Sequence, residues 1–220
     1  MAAVLCWLLA AEPVWAQSAA PPSSPEFSAL AQKIQKKYEE IKELKASFTQ
    51  ETYIKSLDQK RRLQGEVYLK KPGKMRWDYF GESPQHIIAD GRTLWFYQEK
   101  DRTVMSGDLK GSLAGRVPFD FLSGLGNLRR DFQITPSGDA TTLPPDRSRL
   151  DLIPREPLVN ISRLSLEISL SDHLVRRVTI YDPFGNTTAI SLDNLRINEK
   201  LPERLFKFKI PRGVELIKAP

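Results

Sequence analysis

Residues 70–80 read KKPGKMRWDYF. Pro72-Gly73 is a tight turn between two runs of alternating polarity. Before it, Leu63, Gly65, Val67 and Leu69 alternate with Gln64, Glu66, Tyr68 and Lys70; after it, Met75, Trp77 and Tyr79 alternate with Arg76 and Asp78. A period of two is the mark of a half-buried strand, so the stretch reads as a β-hairpin. Its rings fall on one face and Arg76 and Asp78 on the other. That separation argues against nucleic-acid binding, which needs rings and phosphate partners on one exposed surface.

The same alternation recurs on both sides of this hairpin. Residues 85–89 and 93–98 flank Asp90-Gly91, a strong hairpin signal. Further strands are expected at 102–105, 132–135, 149–153, 164–170, 174–181, 188–195 and 206–210. Turns fall at Ser171-Asp172-His173 and at Asp182-Pro183-Phe184-Gly185-Asn186. In front, Ser24-Pro25-Glu26 is a helix start, and Phe27, Leu30, Ala31, Ile34, Tyr38, Ile41 and Leu44 follow at helical spacing. One amphipathic helix over about residues 26–45 is expected. Between 112 and 128 the alternation stops, and Leu113, Val117, Phe121, Leu122 and Leu125 predict one or two short helices broken at Pro118, Gly124 and Gly126. The fold class is mainly β (α+β): a large antiparallel sheet of about ten or eleven strands, with one apolar face covered by curling or by helices.

The 220 residues carry a net charge of +6, with 40% hydrophobic and 27% charged residues, a globular composition. The apolar run from Ala2 to Ala11 is too short to span a bilayer, and Val14-Trp15-Ala16 suits cleavage before Gln17. Residues 1–16 are therefore read as an export signal, 17–25 as a flexible segment and 26–220 as a single domain. Losing residues 1–16, which contain Glu12 and no base, raises the charge by one and removes Cys6, the sole cysteine. The mature chain would have no disulfide. Its basic charge has two readings, steering toward anionic partners or membranes and a plain solvated exterior.

Signals of catalysis are scarce. With two distant histidines, no mature cysteine and no H-E-x-x-H, a zinc site is improbable. His86 reads as a plain strand position. Gly73-Lys74 lacks a phosphate loop and no G-x-S-x-G occurs. We expect no enzyme, cofactor or metal. The large apolar residues, among them Trp77, Trp95, Phe96, Phe119, Phe121, Phe132, Phe184, Phe206 and Phe208, suit either an ordinary core or an apolar groove for a ligand.

Several segments in order resemble one family, the periplasmic outer-membrane lipoprotein carriers (the LolA family). They are Ala46-Ser47-Phe48-Thr49-Gln50, taken to close the first helix, Gly65 with Leu69 through Trp77, and Ile88 through Tyr97. Pro118 with Leu122, Asp182 with Gly185 through Thr188, Asn198 with Leu201, and Phe206 with Ile210 through Glu215 continue the match. The resemblance implies an incomplete antiparallel β-barrel whose mouth is covered by helices. It also implies a periplasmic shuttle between an inner-membrane ABC transporter and an outer-membrane lipoprotein receptor, expected here as a monomer. Lipoprotein acyl chains would lie on the apolar face of Val67, Leu69, Met75, Trp77, Tyr79, Trp95, Phe119 and Leu122. Phe27, Leu30, Ile34 and Phe121 would belong to lid helices, residues 27–44 and 112–125, that move together. Family members carry an arginine latch just before the hairpin proline, where this chain has Lys71. Carriage of another lipid, such as a glycolipid or hopanoid, and a lipid-sensing regulator of the cell envelope are the alternative readings.

Overall fold

A computed structural model describes residues 25–109, 127–137 and 143–218. The expected signal, the central lid helices and the site residues Phe119, Phe121 and Leu122 lie outside the described residues. Helix α1 spans Pro25–Glu40 and buries Ala31, Ile34 and Tyr38, one stripe at three- and four-residue spacing. It is shorter than the expected 26–45. Leu44 belongs to strand β1, Glu43–Ile54, together with the whole Ala46–Gln50 segment. Leu44, Ala46 and Phe48 are buried and alternate with Lys45 and Ser47. Ile41 and Leu44 imitate a helical step only because a chain reversal separates them. Asn198 Oδ1 accepts from the Lys42 and Glu43 N–H groups at 2.9 and 3.2 Å, which satisfies the backbone at that reversal.

The remaining elements are β2 (Gln59–Lys70), β3 (Lys74–Phe80), β4 (Gln85–Asp90), β5 (Thr93–Gln98) and β6 (Thr103–Asp108). After these come the short helix α2 (Leu128–Asp131), β7 (Phe132–Pro136), β8 (Arg147–Pro154), β9 (Arg163–Ser169), β10 (Val175–Tyr181), β11 (Thr187–Ile197) and β12 (Glu215–Lys218). Among the described residues twelve strands form one sheet in the order β12-β6-β5-β4-β3-β2-β1-β11-β10-β9-β8-β7. It is an open sheet, not closed into a barrel, and antiparallel except where β12 runs parallel to β6. The expected strand at 206–210 is not formed. Glu203–Phe206 is a 3-10 turn followed by irregular chain, and the unexpected β12 makes the edge.

Register assigns the two faces, because directly paired residues point to the same side. Leu44, Leu69, Met75, Ala89 and Leu94 form one row, and Ala46, Val67, Trp77, Ile87 and Phe96 the next. Beyond β1 the same face continues through Leu192 and Ile190 of β11 and then Val178, Leu166 and Leu150. This inner face packs with Ala31, Ile34 and Tyr38 of α1 into one core.

The outer face has a covering of its own. Ile88 and Val104 point outward yet are fully buried, and Phe206 is 1% exposed. Residues 201–214 cross them as a strap, with Phe208 at 5.9 Å from Trp95 and 5.7 Å from Tyr97. Lys70 holds the start of the strap by bonds to Glu43, Glu203 and the Leu201 carbonyl, each at 2.9 Å.

Candidate ligand-binding face and its helical cover

The β2–β3 hairpin brings Leu69 opposite Met75, Val67 opposite Trp77 and Gly65 opposite Tyr79. All five side chains are buried, at 1–2% exposure for Val67, Leu69, Met75 and Trp77 and 8% for Tyr79. Gly65 creates room for an aromatic cluster. A Cβ there would stand 1.9 Å from the Asp78 carbonyl oxygen and 2.8 Å from the Phe48 ring. With no Cβ in the way, Phe48 lies at 4.8 Å from Trp77 and 4.9 Å from Tyr79, tilted and edge-on. Tyr79 donates to Gln50 Oε1 at 3.0 Å, and burial pushes its hydroxyl pKa up to about 12.

Trp95, expected on this face, lies on the other. It pairs with Ile88, and Ile88 with Arg76, so it belongs to the outer row beneath the strap. The alternation of Leu94-Trp95-Phe96-Tyr97 offers an apolar residue to each face, and only the register chooses between them. Phe48, expected at the close of the first helix, is a further ring of this face and stands in β1. Its signal was the alternation of Leu44, Ala46 and Phe48.

Over this face α1 is tied at its last turn from two sides. The Lys71 ammonium donates to the Tyr38 carbonyl, and the Lys71 N–H donates to the Lys42 carbonyl at 2.9 Å. A cation at the exposed carbonyls of a helix C-terminus also meets the negative end of the helix dipole. Burial holds the Lys71 pKa below its ordinary value, opposed by nearby Glu39. The Tyr38 hydroxyl reaches the other half of the sheet, where it accepts from the Val175 N–H at 3.1 Å. Full burial raises that hydroxyl's pKa. Tyr38 thus joins the hairpin side of the sheet to β10 through one residue. Phe27 and Leu30 pack against the core half-buried, Ile34 is fully buried, and Gln35 Oε1 accepts from the Leu128 N–H at 3.0 Å.

Arg76 takes no part in this latch. It lies on the outer face and donates to both carboxylate oxygens of Asp78, at 2.9 and 2.8 Å, and to the Leu205 carbonyl. His86 is bonded to Asp78 at 2.5 Å and to Glu99 at 2.7 Å and stacks on Tyr97. The Asp78 bond, with the help of Glu99 and against partial burial, raises its pKa above 6.5. Burial would raise Asp78, yet His86 and Arg76 hold it below the usual carboxylate range.

Chemically, the inner face offers dispersion and apolar burial with a few hydroxyl and amide groups. An outer groove of about 470 Å³ is lined instead by Arg149, Ser165, Glu167, Arg177 and Thr179, a polar set unsuited to hydrocarbon. Val67, Leu69, Met75 and Trp77 are covered to 1–2% exposure, so an apolar ligand could reach them only if their cover moved.

The family model described as outer membrane lipoprotein carrier protein LolA matches residues 39–209. The outer-membrane lipoprotein carrier protein of Alkalilimnicola ehrlichii is 29% identical over 216 residues, 98% of this chain and 92% of that one. That of Legionella pneumophila is 30% identical over 191 residues, 86% and 89% of the two chains. A crystal structure of an uncharacterized conserved protein from Thermus thermophilus aligns with a TM-score of 0.55 at 10% identity, covering 87% of this chain and 98% of that one. The last likeness shows a shared fold alone.

Proposed function

The chain belongs to the LolA family of outer-membrane lipoprotein carriers, and from that premise we propose that its inner face holds the acyl chains of lipoproteins in transit across the periplasm. In this reading it accepts them from an inner-membrane ABC transporter and delivers them to an outer-membrane receptor. The observation that carries it is a largely apolar sheet face under a helix whose last turn is tied by polar bonds, from Lys71 to the Tyr38 carbonyl and from Val175 to the Tyr38 hydroxyl.

Magnitudes favour a moving cover. Each buried methylene contributes about 0.8 kcal/mol, so one chain of roughly sixteen carbons contributes about 12 kcal/mol. Two or three such chains on an always-open face would exceed the practical ceiling of non-covalent affinity, about 20 kcal/mol, and would not be released. Lifting α1 exposes Ala31, Ile34 and Tyr38 and breaks the latch, which offsets part of that gain. Val67, Leu69, Met75, Trp77 and Tyr79 are the proposed contacts, with Phe48 added.

Two measurements test the reading. Mass spectrometry of what co-purifies from the periplasm should find a lipidated polypeptide; a free glycolipid or hopanoid there would favour the other lipid cargoes. A disulfide from the last turn of α1 to the β2–β3 hairpin should block transfer of acyl chains to the receptor. Unchanged transfer in the locked protein would sink the moving cover.

A further inference from the structure

Three connections stand side by side along one rim of the sheet. They join β1 to β2, β10 to β11 and β8 to β9, strands that are consecutive in the order β2-β1-β11-β10-β9-β8. Each holds one large apolar side chain out in solvent: Leu57 at 60% exposure, Phe184 at 77% and Val159 at 83%. With strands about 4.8 Å apart and two strands per connection, neighbouring tips are about 10 Å from one another.

These tips are not slack. Asp182 Oδ1 accepts from the N–H groups of Phe184 and Asn186, both at 2.8 Å, and Gly185 supplies the left-handed φ of 85° that the turn needs. The Lys55 N–H donates to Asn186 Oδ1 at 2.9 Å, which joins the first connection to the second. Ser162 donates to the Tyr181 carbonyl through its N–H and hydroxyl, at 2.8 and 3.0 Å, which joins the third. A satisfied, mutually braced set of turns holds these three apolar side chains in water along one rim.

Charge around the rim has one sign in excess. Lys55, Lys60, Arg61, Arg62 and Arg155 are exposed and have no acidic partner among the described residues. The acids of the same connections are fewer, Asp58 beside the Tyr53 hydroxyl at 3.0 Å, Asp182 in its own turn and the exposed Glu156. Single apolar side chains on convex turns do not make the continuous complementary patch that a protein partner needs. They suit a bilayer interface, where apolar tips enter among the headgroups and the bases meet anionic lipid.

We propose that the rim carrying Leu57, Val159 and Phe184 docks the protein reversibly on an anionic lipid bilayer, with its lysines and arginines against the headgroups. The β2–β3 hairpin and the Lys71 latch lie at the opposite end of the strands and would face away from the bilayer. This surface does not depend on what the inner face carries, so cargo-free vesicles test it without testing carriage.

The full chain would be sedimented with vesicles of phosphatidylethanolamine and phosphatidylglycerol in equal parts, and with phosphatidylcholine vesicles. We expect about tenfold stronger partition into the anionic set, and about a tenfold loss for the L57S/V159S/F184S variant relative to the parent. The residues 2–11 are common to both proteins and cancel in the comparison. As a local readout, an environment-sensitive dye at F184C, in a C6S background, should shift its emission to the blue when anionic vesicles are added. An unmoved dye, undiminished partition of the triple variant or equal partition into neutral vesicles would each overturn the proposal.

Discussion

The Lys71 ammonium meets the Tyr38 carbonyl where a planar guanidinium would have more donors to offer. A charge-assisted bond at a partly buried site contributes roughly 1.5–3 kcal/mol. Lys71→Met should therefore speed hydrogen exchange of the amides in the last turn of α1 by about tenfold or more. Lys71→Arg should slow it or leave it unchanged; if Lys71→Met leaves it unchanged, the contact holds nothing. Gly65 makes a second claim at this scale. Its missing Cβ is the space between the Asp78 carbonyl and the Phe48 ring, so Gly65→Ala must push apart β2 and β3 or expel the ring. A loss of about 1–3 kcal/mol in urea unfolding is expected, with the near-ultraviolet signal of Trp77 and Tyr79 altered. Both residues lie in the hairpin legible from its turn and alternation, but neither role was fully legible there. Lys71 stood out only by the family's pattern, and the need for glycine at 65 comes from a ring seventeen positions earlier in the chain.

Among the elements, α1 and the strap 201–214 cover opposite faces of one sheet by different means. The helix buries an apolar stripe. The strap is a backbone without ladder bonds, held by Phe206, by Lys70 and Lys74 on Glu203, and by Arg76 on the Leu205 carbonyl. Its apolar residues Phe206, Phe208 and Ile210 alternate, and a period of two is all that a strand shows in a sequence. What denies it a ladder is that its neighbours β4 and β5 already pair with one another. Below the strap, the charge network of Arg76, Asp78, His86 and Glu99 makes its support depend on pH. The pKa of His86 is raised in the folded state, so its contribution is complete below about 6.5 and is lost as pH rises through the folded value. Between about pH 6 and pH 8.5 the wild type should lose up to roughly 1 kcal/mol relative to His86→Gln, the ring being part-exposed and screened. Unfolding midpoints of the two proteins that run parallel across that range would contradict it.

On the scale of the whole molecule, stability should be uneven. β1 and β2 pair along twelve residues each, at the centre of the sheet, whereas α1 meets the sheet along one stripe and a few polar bonds. Native-state hydrogen exchange should place opening of α1 at least about 3 kcal/mol below that of the β1–β2 amides. Equal protection would mean that the helix is a fixed part of the core and not a cover. The sequence by itself determined most of the strands from β2 to β11, their turns and the apolar parity of each run, because period, turn chemistry and helix start are local properties. It located the β2–β3 hairpin and the helix that covers it. Only the tertiary structure decided where α1 stops and β1 begins, which face Trp95 takes, and that residues 201–214 strap the outer face. It also decided that Leu57, Val159 and Phe184 share a rim. Each of these follows from the order and register in which strands far apart in the chain pair, and a one-residue change of register, invisible to any local pattern, would reverse every face.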